Sequence, residues 1–231
     1  MLVDIFSAFD ENNFTFMSFT PIVWILSLLP LMVAQSQYWV KKSRWESFLF
    51  IPQSFMSGQV ARTFGRNLTG FSNFVVSLFV MLIFINLLGL PPYIFSVSSH
   101  LSFAFCFGFP LWLSLILSGV FYNLSEVIAH LLPSGAPSSL NPFLVLVETV
   151  SISVRPITLS IRLVANMSAG HIILGLIGSY LSVGVFLYPK LILFFLIFIQ
   201  IFYFIFEIGI SLIQAYIFSL LITLYSEDHP S

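Results

Sequence analysis

The sequence predicts an all-α integral membrane protein of about five to six helices, and three observations lead to that fold class. Hydrophobic residues make up 58% of the 231 residues, charged residues only 7%, and the mean hydropathy is +1.03. This composition leaves too little polar surface to cover a soluble globule. Several apolar segments also reach the length of about 20 residues that a membrane-spanning helix needs. We expect a single membrane domain over residues 1–231, since no internal repeat or long linker divides the chain.

Hydropathy predicts three spans in the first part of the chain, at residues 20–38, 71–95 and 101–132. Pro30 is expected to bend the first of them. The segment before the first span contains acidic residues and no Lys or Arg, so it lacks the positive charge of a signal or transit peptide. We therefore expect a chain that is inserted into the membrane where it is made.

Most of the positive charge lies between the first and second spans. Five of the eight Lys and Arg residues are there, namely Lys41, Lys42, Arg44, Arg62 and Arg66. By the positive-inside rule this segment lies on the cytoplasmic or matrix side, and the acidic N-terminus lies on the other side. Residues 43–66 interleave aromatic and polar side chains, which predicts an amphipathic helix lying in the membrane interface. A solvated loop is the alternative.

The last two predicted helices, at residues 143–188 and 190–225, are longer than a membrane span requires. The break LLPSGAPSSLNP at residues 131–142 predicts a turn on the positive side before them, and Pro189-Lys190 predicts a turn between them. A continuous helix over the first segment would be about 70 Å long, more than twice the roughly 30 Å of the apolar layer. It therefore either folds back on itself or lies steeply tilted.

One face of the first long helix is predicted to carry charge among small residues. Glu148, Arg155 and Arg162 recur every seven residues, which keeps them within about 40° of arc on a helix. Thr158, Ala165, Asn166 and Ala169 fall on the same face. Charge inside an apolar helix is a functional hypothesis by default, and small residues let another helix approach closely. A purely structural Arg–Glu pair is the alternative.

A second polar face is predicted from His171, which is half a turn out of phase with Arg162. Gly175 and Gly178 lie near it and predict close packing against a neighbouring helix. We expect that neighbour to be the last helix, which carries a polar row at seven-residue spacing: Gln200, Glu207 and Gln214, with Tyr203 and Ser211 nearby. An imidazole and a carboxylate on two packed helices can hold and pass a proton.

The few charges exclude several classes of function. Eight Lys and Arg residues and a net charge of −1 cannot form the basic surface that holds nucleic acid. The single cysteine, Cys106, cannot form an internal disulfide, and its apolar neighbours indicate an inert residue. The chain contains neither a metal-ligand cluster nor a GxxxxGK[ST] phosphate loop. We expect no metal, no cofactor and no catalytic site of this chain's own.

Four segments carry a family resemblance. They are HLLPSGAP at 130–137, LVETVS at 146–151, RPITLSIRLVANMSAGH at 155–171 and EIGISLIQAYIFSLL at 207–221, and NLLGLPPY at 86–93 extends them. Together they resemble the a subunits of F-type ATP synthases in their mitochondrial form, most strongly over the C-terminal half of the chain.

This resemblance implies roles for individual residues. Arg162 would face the ring of c subunits, keep the ring carboxylate ionised and block a direct proton path between entry and exit. Glu148 would belong to the matrix half-channel, and His171 with Glu207 to the half-channel of the intermembrane space. Asn166, Gln214 and Arg155 would support these groups.

The implied function is a proton-translocating stator subunit, located in the mitochondrial inner membrane as a multi-pass protein with its N-terminus on the intermembrane-space side. Its partners would be the c ring, other stator and membrane subunits, protons and lipid, and its last two helices would be steeply tilted along the ring. Two alternatives remain: a secondary transporter that binds a small anion through Arg155 and Arg162, and a scaffolding subunit of a respiratory complex.

Overall fold

The computed structural model describes residues 44–63, 65, 70–91, 96–131 and 140–227. Within these ranges the chain is α-helical and contains no strand. In chain order the elements are α1 (Arg44–Val60), α2 (Phe71–Gly89), a 3₁₀ turn (Val97–Ser99), α3 (Leu101–Tyr122), α4 (Leu124–His130), α5 (Asn141–Leu187) and α6 (Lys190–Tyr225). The first predicted span, at residues 20–38, and the acidic N-terminus lie outside the described residues.

Four of these helices, α2, α3, α5 and α6, are long and apolar enough to cross a membrane, which confirms the predicted fold class. Helices form because hydrocarbon offers the backbone no hydrogen-bond partner, so each N–H and C=O group is satisfied within its own segment. The hydroxyl groups follow the same rule. Those of Ser77, Ser114 and Ser118 each donate to the carbonyl oxygen three residues earlier, at 2.8 Å.

The structure decides one alternative that the sequence left open, and it corrects one predicted span. Residues Arg44–Val60 form a helix, so the loop alternative is wrong there. The predicted third span is interrupted at Asn123, whose backbone is extended (φ −156°, ψ 95°) and separates α3 from α4. The Ser125 hydroxyl donates to Asn123 Oδ1 at 2.8 Å, a local side-chain bond of the kind that competes with helix continuation.

Helix α5 is continuous over 47 residues, so a segment folded back on itself is wrong. Pro156 lies inside it and lacks the amide hydrogen of an ordinary helix residue. The Ser160 hydroxyl donates to the Pro156 carbonyl, and Gly108 of α3 packs against the same turn. The steep tilt of α5 and α6 stays a prediction.

The chain divides into two compact units. The first comprises Met1–Val40, Met81–His100 and Leu163–Ala215, and the second comprises Lys41–Val80, Leu101–Arg162 and Tyr216–Ser231. Helices α2, α5 and α6 each contribute to both. The single membrane domain predicted for the whole chain stays a prediction.

Each unit has its own buried contacts. In the first, Leu163 and Met167 of α5 are buried, and Met167 lies close to Gly89 of α2. In the second, Met56 of α1 accepts a hydrogen bond from the Ser219 hydroxyl of α6 at 3.5 Å. Helix α1 therefore packs by its Met56 face, while Phe50 and Ile51 are exposed.

Candidate functional site

A buried carboxylate lies on the inner face of α6 in the first unit. Glu207 exposes only 1% of its surface, although its helix consists mainly of Phe, Ile and Leu. Ser211 and Gln214 follow on the same face and are buried as well. The predicted polar row of the last helix therefore faces protein at these three positions. Gln200, one heptad earlier, is half-buried.

The Glu207 carboxylate has few partners. Neither of its oxygens accepts a hydrogen bond of normal geometry from the described residues. The phenol of Tyr203, one turn earlier on α6, is close enough to interact with it electrostatically. A buried carboxylate with so little compensation is costly for the fold, and such groups inside membrane helices are typical of functional sites.

Gly170 of α5 makes room for this carboxylate. A methyl group at Gly170 would overlap the carboxylate of Glu207, so the two helices approach each other only because position 170 has no side chain. Gly170 shares its buried face with Leu163 and Met167. His171 is the next residue and is half-buried. The contact therefore brings the Glu207 carboxylate to the turn of α5 that carries His171.

Two amide contacts extend the polar row of α6. Asn166 Nδ2 on α5 donates to Gln214 Oε1 at 2.8 Å. Asn86 Nδ2 on α2 donates to the Ser211 backbone carbonyl at 3.4 Å. The resemblance implied a supporting role for Asn166 and for Gln214, and the structure brings the two side chains into direct contact.

The second unit contains the charged group around Arg155. Its Nη2 lies 3.6 Å from Glu148 Oε1, one heptad earlier on α5. The guanidinium also lies over the ring of Tyr225 on α6, 5.2 Å from the ring centroid. At this distance the cation and the aromatic face attract each other. Arg155 thus links α5 with the end of α6 and neutralises Glu148.

Arg162 ends the α5 portion of the second unit and differs from Arg155. It is exposed, and within this unit it has no ion-pair partner among the described residues. The remaining residues of its predicted face, Thr158, Ala165, Asn166 and Ala169, are exposed too. Leu159, Leu163 and Met167, about a quarter turn round α5 from Arg162, are buried. Helix α5 thus has an exposed small-residue face and a buried apolar face, and the role predicted for the His171 face stays a prediction.

The close packing predicted at Gly175 is wrong for the described residues, since none of their atoms lies within 4 Å of the position that a side chain would occupy. Gly178 lies in ordinary contact with α6, because a side chain there would be 3.9 Å from Gln200 Nε2. The close helix approach lies at Gly170 instead. One signal was present in the sequence, because Gly170 is seven residues after Leu163 and three after Met167, on the apolar side of the helix.

Two further residues were not singled out for a role by the sequence reasoning, Asn86 and Tyr225. Asn86 is the lone strongly polar side chain in the stretch MLIFINLLG of α2, and such residues often bond across helices in membranes. Tyr225 gave no signal, because an aromatic residue at a helix end is typical of a membrane interface. Within the described ranges, no group of three or more His, Cys, Asp or Glu residues is placed to hold a metal ion.

A family model described as ATP synthase A chain matches residues 15–227. The chain belongs to the ATP synthase A chain family. The resemblance seen in the sequence is thereby confirmed and extends over nearly the whole chain. Membership of the ATP synthase A chain family gives the chain the role of an a subunit in an F-type ATP synthase, a membrane subunit of proton transport and ATP synthesis.

Arthropod members of the ATP synthase A chain family are similar along their full length. The chain is 36% identical over 229 residues to the ATP synthase subunit a of Locusta migratoria, covering 99% of each chain. It is 35% identical over 231 residues to that of Artemia franciscana, covering 99% of this chain and 100% of the relative. The subunit of Aedes aegypti is 36% identical over 232 residues, with 99% of each chain covered.

Proposed function

We propose that this chain provides two proton half-channels and an arginine barrier against a rotating ring of c subunits, in the mitochondrial inner membrane. The observation that carries the proposal is the position of Arg162, a permanently charged residue on an exposed face of α5 flanked by Ala165 and Ala169. Small residues at such a face suit the close approach of a helix from another subunit.

Arginine suits the barrier role because it does not release its proton under physiological conditions. A fixed positive charge beside a ring carboxylate stabilises the ionised form of that carboxylate, so the ring gives up its proton before it passes Arg162. Protons therefore enter by one half-channel, travel with the ring and leave by the other. The membrane potential supplies about 2.3 kcal/mol per charge per 100 mV, so several protons cross for each ATP made elsewhere in the complex.

The two half-channels are assigned to the two polar groups. His171 and Glu207 serve the intermembrane-space side, supported by the burial of Glu207 and its contact with Gly170 beside His171. Glu148 serves the matrix side, together with Arg155. The cluster of Lys and Arg residues between positions 41 and 66 favours the matrix side for that segment, and hence the intermembrane space for the N-terminus.

The decisive test is Arg162→Ala in the assembled ATP synthase, reconstituted into vesicles. ATP synthesis driven by a proton gradient should fall at least about 100-fold, the scale of losing one preorganised charge contact, while native electrophoresis still shows the complete complex. Arg162→Lys should also fail, because lysine can release its proton. The control is Arg44→Ala, the same substitution at an exposed arginine of α1.

The rivals of this proposal give different results. A scaffolding subunit would show failed assembly in Arg162→Ala. A subunit whose arginine is merely structural would show coupled synthesis within about threefold of the parent complex. Either result contradicts the barrier role.

A further inference from the structure

Asn86 is a buried amide that the proposed half-channel does not yet use. It lies in the part of α2 that belongs to the first unit, and none of its surface is exposed. Its Nδ2 donates to the Ser211 carbonyl of α6 at 3.4 Å, which is long for a hydrogen bond. Its Oδ1 accepts no hydrogen bond from the described residues. A buried acceptor in this situation is costly unless a further group satisfies it.

The place where Asn86 touches α6 lies between two functional groups. Ser211 is four residues after Glu207 and three before Gln214, and all three are buried on one face. At 1.5 Å per residue, Glu207 and Gln214 are about 10 Å apart along the helix axis. That interval is several times longer than one hydrogen bond, so direct transfer between the two positions is impossible.

We propose that Asn86 is a positioning residue that holds a short file of water molecules between Glu207 and the Gln214–Asn166 pair. This inference rests on the proposed function. It identifies water as the carrier of protons between the buried carboxylate and the exposed face of α5. A buried water needs two to four polar partners, and Asn86 Oδ1 and the Glu207 oxygens supply acceptors for it.

The transfer itself needs no chemistry from the amide. Glu207 releases its proton to the adjacent water, and that water passes one of its own protons to the next, so each O–H bond broken is matched by one formed. Asn86 fixes the orientation of the water and neither gains nor loses a proton. The last water of the file, held by Gln214 and Asn166 at the exposed face of α5, passes its proton to the carboxylate of the ring, which becomes neutral. Neither amide gains or loses a proton.

A merely structural role for Asn86 predicts different behaviour. Asn86 makes one long hydrogen bond, to a carbonyl inside helix α6, and its Oδ1 accepts none from the described residues, so replacing it by an apolar side chain should cost the fold little. Asn86→Leu should therefore leave assembly intact and isolate the effect on proton movement. The matched control is Asn73→Leu, the same substitution at an exposed asparagine of the same helix.

The experiment measures proton flux through the reconstituted complex in H₂O and in D₂O. Asn86→Leu should lower the flux about 10-fold, because small misplacements of a reacting group have effects of this size or larger. It should also raise the ratio of the flux in H₂O to that in D₂O, because transfer through a disrupted water file becomes limiting. Asn73→Leu should change neither quantity.

The isotope ratio does not depend on how many complexes are active. It therefore distinguishes slower proton transfer in each complex from a smaller number of assembled complexes. If Asn86→Leu does not assemble, the variants Asn86→Thr and Asn86→Val test the inference instead, because their side chains have the same shape. The threonine variant should carry more flux, since only its hydroxyl can hydrogen-bond to water. Flux within about twofold of the parent, a lowered flux with an unchanged isotope ratio, or equal flux from the Thr and Val variants would each overturn the inference.

Failure of this inference is distinguishable from failure of the proposed function. If Arg162→Ala abolishes coupling and Glu207→Gln lowers flux while Asn86→Leu has no effect, only the role of Asn86 falls. If Glu207→Gln also leaves flux unchanged, the Glu207 half-channel and the role of Asn86 fall together.

Discussion

The Arg155 group of the second unit and the Glu207 group of the first unit both place ionisable side chains in long apolar helices, but they differ in compensation. Arg155 has an ion-pair partner in Glu148 and an aromatic partner in Tyr225, and the side chains of the ion pair are 28% and 40% exposed. Glu207 is almost fully buried and accepts no hydrogen bond of normal geometry from the described residues.

The difference lies in how far each group is compensated by its neighbours. A compensated and partly solvated ion pair contributes only about 0–1 kcal/mol to stability at such exposure. A buried carboxylate that only the Tyr203 phenol compensates is costly, by about 1–3 kcal/mol or more, and such costs are typical of functional sites in membranes. We therefore expect the largest loss of proton flux from substitutions in the Glu207 group. Substitution of Tyr225, which contacts Arg155 but is not part of either proposed half-channel, should affect mainly stability.

The largest effect in this comparison is expected from Glu207→Gln. Glutamine has nearly the same shape but no titratable group, so proton flux through the reconstituted complex should fall at least about 100-fold, as for loss of a general acid–base group. Glu126→Gln, at an exposed glutamate of α4, is the control and should leave flux unchanged. Parent-like flux in Glu207→Gln would remove Glu207 from the path.

A smaller effect is expected from Gly170→Ala. The added methyl group overlaps the Glu207 carboxylate, so the carboxylate or the whole of α6 shifts, and flux should fall about 10-fold. Gly175→Ala is the matched control, because no atom of the described residues lies within 4 Å of the added methyl group. It should keep full flux and stabilise α5 by up to about 1 kcal/mol. Equal flux from both variants would show that the tight contact at Gly170 has no bearing on transfer.

The helices and the faces of α5 were predictable from the sequence because both depend on local periodicity. A seven-residue spacing fixes which side chains share a face, and the exposed Arg162 face and the buried Glu207 row follow from it. The length of α5 was readable in the same way. The interruption at Asn123 was missed, because hydropathy does not register a local side-chain bond such as the one from Ser125.

The contacts between helices were harder to predict, since they depend on the register and rotation of one helix against another. A list of small residues does not say which of them meets a partner, so Gly175 was chosen and Gly170 was overlooked. The link between Arg155 and Tyr225 joins positions 70 residues apart on different helices, and no spacing within either helix encodes it. The contact of Asn86 was not predicted for the same reason, because its partner Ser211 lies four helices later in the chain.

The smallest effect is expected from Tyr225→Leu, which tests the structural side of the comparison. Leucine keeps an apolar side chain but removes the aromatic face below Arg155, so the subunit should lose about 0.5–2 kcal/mol of stability. Thermal unfolding in detergent should show this as a lower midpoint, while proton flux per assembled complex stays within about twofold of the parent, as expected for a change that leaves Glu207 untouched. Tyr180→Leu, at an exposed tyrosine of α5, supplies the control for loss of an aromatic ring. A large loss of flux in Tyr225→Leu with unchanged stability would contradict this expectation, and would show that the aromatic ring takes part in the matrix half-channel proposed for Glu148 and Arg155.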